Sequence, residues 1–326
     1  YHLGVPTTRA LSLITTGEHV VRDMFYDGRP QKELGAIVCR VAPSFLRFGS
    51  LEIFASRGDI DTLKQLLDFI IVNHFPHLGK PSVEVYLAWF KEVCELTADM
   101  VAHWIRVGFV HGVMNTDNMS LLGLTIDYGP YGWLEDYDPN WTPNTTDTTH
   151  RRYRFGNQSA IAQWNLFQLA NALYPLINDA EALRNCIGDY VGLYDDKVHA
   201  MQAAKLGLQD YDDALQQELY LILQLVETDM TIFYRQLSNL TTHTLTQSDD
   251  ELFAFVVDAY YEHSELNSAD KQRICTWLRQ YQRHCSQQAL TDNERKKNMD
   301  KVNPKYVLRN YLAQLAIDKA EVGDIV

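Results

Sequence analysis

Hydrophobic and polar positions follow two different patterns along this chain, and the change between them lies near Asp59. Residues 1 to about 58 mix short apolar runs with turns, and residues 35–42 form an apolar run that ends at Pro43. A run of this kind, bounded by a proline, predicts a buried strand. After Asp59, apolar residues recur at the spacing of amphipathic helices. We therefore predict strands in the first part of the chain and helices in the rest.

The helical part divides at residues that begin or end helices. Asp59 is of a residue type that favours the N-cap position of a first helix. A longer helix carries apolar residues from Tyr86 to Trp104 and ends near Gly108, and residues 131–158 lack a clear period and predict a long ordered loop. The predicted fold class is therefore α+β and mostly helical. Further helices are predicted near residues 160–175, 176–206, 209–237, 249–263, 267–290 and 305–322.

The charge balance limits the partners of this chain. Among its 326 residues, 29 are basic and 42 are acidic, which gives a formal net charge of −13. Nucleic acid and anionic membrane surfaces attract a cationic face, so we expect neither as the main partner. No apolar run approaches the roughly 18 to 20 residues that span a membrane.

The five cysteines lack a CxxC pair, which fits reduced thiols in a cytosol-like compartment. Because the first residue is Tyr1 and not Met, we expect a fragment of a longer protein.

Residues 111–130 carry the densest group of candidate functional residues. His111 is followed seven positions later by Asn118, and an apolar run then leads to the Asp-Tyr-Gly sequence that begins at Asp127. A protein kinase has a catalytic loop, a short hairpin and an Asp-Phe-Gly turn in this order. The oxygens of Asn118 and Asp127 suit Mg²⁺ or Mn²⁺ bound together with nucleotide phosphates. Either residue alone would more often be a turn former, but the combination favours a metal–nucleotide site.

The position of the catalytic base differs from that of a kinase. Two places after His111, where a kinase has its aspartate, the chain has Val113, and a carboxylate appears instead at Asp117. Asp117 either takes the proton from an attacking hydroxyl or caps a turn, and the sequence leaves both roles open. A structural role, in which it bonds the loop backbone, explains His111 better than proton transfer does.

Two arginines flank the turn at Pro43. Arg40 and Arg47 would face opposite sides of a straight strand, but Pro43 breaks the strand and lets them converge. A planar, permanently charged guanidinium suits phosphate recognition. Without further context, pairing with surface carboxylates is the better explanation of both arginines.

A hydrolytic metal site is a weaker alternative. Its candidate ligands would be His111, Asp117, Asp127 and His150. No two of them have the His-x-x-x-His spacing that places metal ligands on one face of a helix, so the pattern does not favour this site.

Five segments of this chain carry motifs that can be compared with known families. They are Leu-Gly-Val-Pro-Thr-Thr-Arg-Ala-Leu at 3–11, Arg-Val-Ala-Pro-Ser-Phe-Leu-Arg-Phe-Gly at 40–49, His-Gly-Val-Met-Asn-Thr-Asp-Asn-Met-Ser at 111–120, Asp-Tyr-Gly-Pro at 127–130 and Asn-Pro-Lys-Tyr-Val-Leu-Arg-Asn-Tyr-Leu-Ala at 303–313. Together they resemble the selenoprotein O family, whose members are kinase-fold proteins that act as protein adenylyltransferases. The similarity extends over nearly the whole chain, from Tyr1 to about Asp324, and the His-Gly-Val-Met-Asn-Thr-Asp-Asn sequence is highly specific.

The resemblance implies a reaction and a role for each candidate residue. In this family ATP binds in a flipped orientation relative to kinases, and AMP is transferred to Ser, Thr or Tyr hydroxyls of proteins while pyrophosphate leaves. By motif position, Asp117 is the expected proton acceptor. Asn118 and Asp127 are expected to hold Mg²⁺ or Mn²⁺, and Arg40 and Arg47 to contact the nucleotide together with Asp127. The expected partners are ATP and protein substrates, without nucleic acid or membrane, and we expect a monomer.

The resemblance also implies a division into lobes. Residues 1–58 correspond to the truncated N-lobe of a kinase-like fold, and residues 59–326 to a large helical C-lobe with its catalytic loop at 111–118 and Asp-Tyr-Gly at 127–129. The family's Gly-rich nucleotide loop, strand lysine and partner glutamate have no counterpart in this chain. We therefore expect the chain alone to bind ATP poorly or to be inactive. Two alternatives stay open: a conventional protein kinase, which Val113 disfavours, and a catalytically inactive pseudokinase-type binding module.

Overall fold

The computed structural model describes residues 1–23, 28–242 and 246–324, and it confirms the predicted α+β, mostly helical class. A hairpin of two strands precedes the helices, and two short strands pair within the helical part. The strands are β1 Arg9–Arg22, β2 Gln31–Val41, β3 Phe109–Val110 and β4 Gly132–Trp133. The helices are α1 Phe48–Ser56, α2 Ile60–His74, α3 Val83–Val107, α4 Gln158–Ile177, α5 Ala180–Leu206, α6 Asp213–Ile222, α7 Met230–Leu237, α8 Asp249–Phe253, α9 Ser268–Ser286, α10 Asp292–Val302 and α11 Asn310–Glu321.

The β1–β2 hairpin is antiparallel and largely exposed. Its pairing runs from Arg9 opposite Val41 to Arg22 opposite Gln31, with two register shifts. Within β2, Gly35 alone is buried. A strand therefore forms where the sequence predicted one, but the prediction that it is buried was wrong. An apolar composition indicates a strand without indicating whether another layer covers it.

The helical part begins at Phe48, earlier than the change of pattern near Asp59. Phe48 and Leu51 of α1 are fully buried, and this short helix ends before Gly58. It was not predicted, because so few turns give little periodic signal. Asp59 does have the predicted capping role, since its side chain accepts a hydrogen bond from the Thr62 amide at 3.1 Å at the start of α2.

Helix α3 is the central element of the first hydrophobic core. Ser82 caps its N-terminus. Gly108 ends the helix in the left-handed conformation at φ +72°, which agrees with the end predicted near Gly108. Trp89 and Trp104 are fully buried in this core, and α3 contacts α4 and α5. Because β3 follows Gly108 directly, the end of α3 fixes where the candidate catalytic loop begins.

A second core lies among the C-terminal helices, and strand β3 joins it to the first. Trp277 and Tyr281 are buried in the second core. Side chains alternate across a strand, and accordingly Phe109 belongs to the first core while its neighbour Val110 belongs to the second. The candidate catalytic loop therefore starts where the two cores meet.

The C-terminal half is helical as predicted, but its helices begin and end at residues that differ from the predicted ones. The segment 209–237 contains two helices, α6 and α7, and the segment 249–263 contains the short helix α8. The sequence analysis missed helix α10, because this helix is mainly polar. Its buried residues are Arg295 and Met299. Within the described ranges, no helix is long and apolar enough to cross a membrane.

Candidate active site

The catalytic loop begins with the buried side chain of His111. Its Nε2 donates a hydrogen bond to Ile126 O at 2.8 Å, and its Nδ1 accepts one from the Val113 amide at 3.4 Å. Burial lowers the pKa of His111, and a ring that donates at one nitrogen and accepts at the other is neutral. His111 therefore ties the loop to the residue before Asp127, which is the structural role that the sequence favoured.

The amide side chain of Gln158 holds the start of the loop. Its Oε1 accepts a hydrogen bond from the His111 amide at 3.0 Å, and its Nε2 donates one to Phe109 O at 3.0 Å. Gln158 is fully buried at the first position of α4, where water does not compete for these bonds. One side chain thus satisfies backbone groups on both sides of Val110.

Two asparagines hold the loop further along. Asn144 Nδ2 donates to Gly112 O at 3.1 Å, and Asn165 Nδ2 donates to Met114 O at 2.9 Å. Asn165 is fully buried and lies two helical turns after Gln158 in α4, so both face the loop from one side of the helix. The sequence analysis missed these three amides. A polar residue within a predicted helix is a signal that could have found Asn165, whereas Asn144 and Gln158 lie in the predicted loop 131–158 and had no such signal.

Asp117 and Asn118 lie on a short 3₁₀ turn at the end of the loop. Asn115 caps this turn, because its Oδ1 accepts a hydrogen bond from the Asp117 amide at 3.0 Å. The Asp117 side chain is exposed. Asn118 Nδ2 donates to Val113 O at 2.9 Å, which leaves the amide oxygen of Asn118 as the atom that a cation would bind.

Asp127 occupies a tight turn after the loop. Its φ of +55° lies in the left-handed region, which few non-glycine residues adopt. The Gly129 amide donates to Asp127 O at 2.9 Å, and Asp127 is exposed. A sparsely populated backbone of this kind costs on the order of 1 kcal/mol or more, and such residues cluster at active sites. The turn therefore holds the backbone of Asp127 in an uncommon conformation and leaves the residue exposed to solvent.

Arg40 lies beside this turn. Its Nε donates to Thr8 Oγ1 at 2.7 Å, and a terminal nitrogen donates to Thr8 O at 2.8 Å. The guanidinium carbon is 4.4 Å from the centroid of the Tyr128 ring, and the Tyr128 hydroxyl contacts Thr7 Oγ1. Since Tyr128 follows Asp127 directly, the structure brings Arg40 to the Asp-Tyr-Gly turn.

Arg47 lies at the N-cap of α1, beside the candidate base. It donates from a terminal nitrogen to Asp117 O at 2.8 Å. The Phe48 amide donates to Met119 O at 3.0 Å, and Arg47 forms an isolated β-bridge with Ser120. The first turn of α1 is therefore docked on the catalytic loop, and this contact brings Arg47 to Asp117.

The residues present fit a divalent cation that is bound together with phosphates. Asn118 and Asp127 offer oxygen atoms, the ligand type that Mg²⁺ takes beside substrate phosphates. In the three described ranges, no group of three or more His, Cys, Asp or Glu side chains can hold a metal ion. The four-ligand hydrolytic site that includes His150 is therefore not formed there.

Comparison with known proteins assigns the chain to a family. The sequence profile described as protein adenylyltransferase SelO matches residues 1–325. Relatives named protein nucleotidyltransferase YdiU include that of Rhodopirellula baltica, 56% identical over 340 residues, and that of Azoarcus sp., 55% identical over 328 residues. These matches cover 99% of this chain but 63% and 62% of the two relatives, so the chain spans less than two thirds of their length. The resemblance found in the sequence is confirmed, and the chain belongs to the SelO protein adenylyltransferase family.

Proposed function

We propose that this chain forms the catalytic part of a protein adenylyltransferase, which transfers AMP from ATP to a Ser, Thr or Tyr hydroxyl of a protein. One observation carries the proposal. Asp117 and Asn118 share a turn, and His111 joins their loop to the residue before Asp127. A candidate base and two candidate metal ligands are thus held by one short segment. Membership of the SelO family supports the same reaction.

In the proposed reaction, each bond that forms or breaks and the transferred proton are accounted for. The acceptor oxygen attacks the α-phosphorus of ATP, and the bond from that phosphorus to the oxygen leading to the β-phosphate breaks. Pyrophosphate leaves, and Asp117 takes the proton of the hydroxyl. Val113 has no group that accepts a proton, which separates this arrangement from that of a conventional kinase.

Four side chains act on the nucleotide in this proposal. Asn118 and Asp127 would hold Mg²⁺ or Mn²⁺, which would supply positive charge to offset that of the phosphates. Arg40 and Arg47 contact the phosphates. Each uses part of its guanidinium for a protein carbonyl, Thr8 O and Asp117 O respectively. Because a guanidinium has five N–H donors, others remain for a phosphate.

We also propose a kinase-like arrangement, with residues 1–58 as the end of an N-lobe and residues 59–326 as a C-lobe. The β1–β2 hairpin ahead of a helical part supports it, as does the order of loop and Asp-Tyr-Gly turn. Helix α1 lies within residues 1–58, yet its first turn is docked on the catalytic loop. This helix therefore provides one of the contacts between the two proposed lobes.

The proposal is tested by incubating the whole protein with acceptor proteins and ATP labelled separately on the α- and γ-phosphates, with Mg²⁺ or Mn²⁺. We expect protein-bound α-label and no γ-label. Transfer of γ-label would identify a kinase instead, and transfer of neither label would identify a binding module. Asp127→Asn serves as the control, because loss of a charged cation ligand should reduce α-label transfer.

A further inference from the structure

Gly49, the second residue of α1, lies directly against the side chain of Asp117. A Cβ atom built on Gly49 would overlap Asp117 Oδ1 and would lie 3.0 Å from Asp117 Cγ and 3.5 Å from Asp117 Cα. Real Cβ atoms essentially never approach another heavy atom as closely as this Cβ would approach Asp117 Oδ1, so any larger residue here forces the carboxylate to move. Gly49 lies within a regular helix and does not have a positive φ. Its backbone therefore does not require glycine, whereas the space beside Asp117 does.

The other contacts of Asp117 fix its backbone and leave its side-chain direction open. Arg47 donates to Asp117 O at 2.8 Å, and Asn115 Oδ1 accepts from the Asp117 amide at 3.0 Å. Both partners hold main-chain atoms. The side chain itself is exposed, and the surface of α1 at Gly49 is what it packs against. The direction of the carboxylate therefore depends on the absence of a side chain at Gly49.

We propose that Gly49 is a positioning residue, which lets Asp117 adopt the rotamer that faces the acceptor hydroxyl. This inference rests on the proposed role of Asp117 as the proton acceptor. Gly49 acts entirely through Asp117, since it contributes no group to the reaction. The helical backbone tolerates alanine, and a short side chain such as that of Asp117 can turn away from a new methyl group. Gly49→Ala therefore leaves the fold intact and displaces the base.

The test compares Gly49→Ala with two glycines elsewhere in a helix. Gly188 and Gly192 of α5 have no atom within 4 Å of a Cβ added to either of them, so Gly188→Ala and Gly192→Ala are matched controls. In the whole protein we expect Gly49→Ala to lower single-turnover AMP transfer at saturating ATP by at least about tenfold, which is a part of the roughly 100- to 10,000-fold that a general base contributes. ATP affinity and thermal stability should stay at wild-type values. Both control variants should transfer AMP at the wild-type rate.

A double variant separates positioning from general packing. If Gly49 acts through Asp117, then Gly49→Ala introduced into Asp117→Ala should cause no further loss of rate, because the base is already absent. A further loss, or a fall in ATP affinity or melting temperature with Gly49→Ala, would identify a packing role and overturn the inference. A Gly49→Ala variant as fast as wild type would also overturn it. Each of these results leaves the adenylyltransferase proposal intact. A wild-type protein that transfers no AMP would overturn both the adenylyltransferase proposal and the inference about Gly49.

Discussion

His111 uses both of its ring nitrogens within the protein. Nε2 donates to Ile126 O, and Nδ1 accepts from the Val113 amide. The imidazole therefore has no nitrogen left for a substrate proton. Asp117, in contrast, has an exposed carboxylate, and Asn115 rather than Asp117 caps the turn on which it lies. At this scale, the exposed carboxylate of Asp117, unlike the imidazole of His111, remains available for the proposed proton transfer.

Lys205 gives a pH-dependent prediction at the residue scale. Its Nζ donates to Arg106 O at 2.8 Å, but burial, followed by the charge of Arg106, lowers the pKa of Lys205 to about 7. An unfolded lysine has a pKa near 10.4. Between about pH 7 and 9 the unfolded chain therefore holds a proton that the folded chain has released. We expect the free energy of unfolding to rise with pH in this window.

Denaturant unfolding of wild type and Lys205→Met at a series of pH values checks this prediction. The rise from about pH 7 to 9 should be smaller in Lys205→Met, because the group that causes it is gone. Exposed Lys297 provides the control, and Lys297→Met should keep the wild-type slope. Equal slopes for wild type and Lys205→Met would show that Lys205 stays charged in the folded protein.

The sequence left two roles open for Asp117, that of a proton acceptor and that of a turn cap. Asn115 and Asp117 are both residue types that cap turns, and their order alone does not tell which one does so. The turn geometry decides it, because the Asp117 amide points at Asn115 Oδ1. The role of Gly49 was equally hidden, since its importance arises from a neighbour that is distant in the sequence.

Helix α4 gives a prediction at the scale of elements. Gln158 is one of two fully buried residues that link this helix to the loop. Gln158→Leu removes the partners of the His111 amide and Phe109 O. Each buried group left without a partner costs about 1–3 kcal/mol. We expect a lower free energy of unfolding and a larger loss in the rate of AMP transfer than in ATP affinity.

Half-buried Gln168 of the same helix provides the control for this substitution. Gln168→Leu should change neither the rate nor the affinity, because no hydrogen bond of the loop depends on it. Denaturant unfolding together with single-turnover transfer measures both effects. A Gln158→Leu variant with wild-type stability and rate would mean that α4 does not support the loop.

The elements that the sequence predicted are those whose signal is local. Helix α3 is long, has apolar residues on one face and ends at Gly108, so its presence and its end were predicted. Helix α10 is mainly polar and is held by tertiary contacts, among them a hydrogen bond from Arg295 to the Tyr281 hydroxyl at 2.8 Å. Such contacts are not visible in a periodic pattern.

At the scale of the whole molecule, one buried polar cluster joins distant parts of the chain. Arg106 at the end of α3 donates to Val302 O at 2.6 Å and also to Leu3 O. Asn303 donates to Lys205 O at 2.8 Å. These bonds fasten the first residues, α3, α5 and the segment after α10 to one another. The sequence did not predict this cluster, because its members are far apart in the chain.

The same distinction applies to the candidate site. Asp117, Asn118 and Asp127 were found together because one short segment carries them. Their relation to the two arginines depends on tertiary structure. Arg47 reaches Asp117 because α1 docks on the loop, and Arg40 reaches the Asp-Tyr-Gly turn through contacts with Thr8 and Tyr128. The sequence predicted only that Pro43 lets Arg40 and Arg47 converge, and their spacing did not indicate the contacts that each of them makes.

The central claim, that Asp117 accepts the proton during AMP transfer, is tested most directly with Asp117→Ala in the whole protein. The measurement is ATP affinity beside single-turnover transfer of α-labelled AMP in the same variant. We predict an ATP affinity near that of wild type and a rate that falls by about 100- to 10,000-fold, the contribution typical of a general base. If the affinity collapses while the rate at saturating ATP survives, Asp117 is a binding or structural residue and the proposed mechanism is wrong.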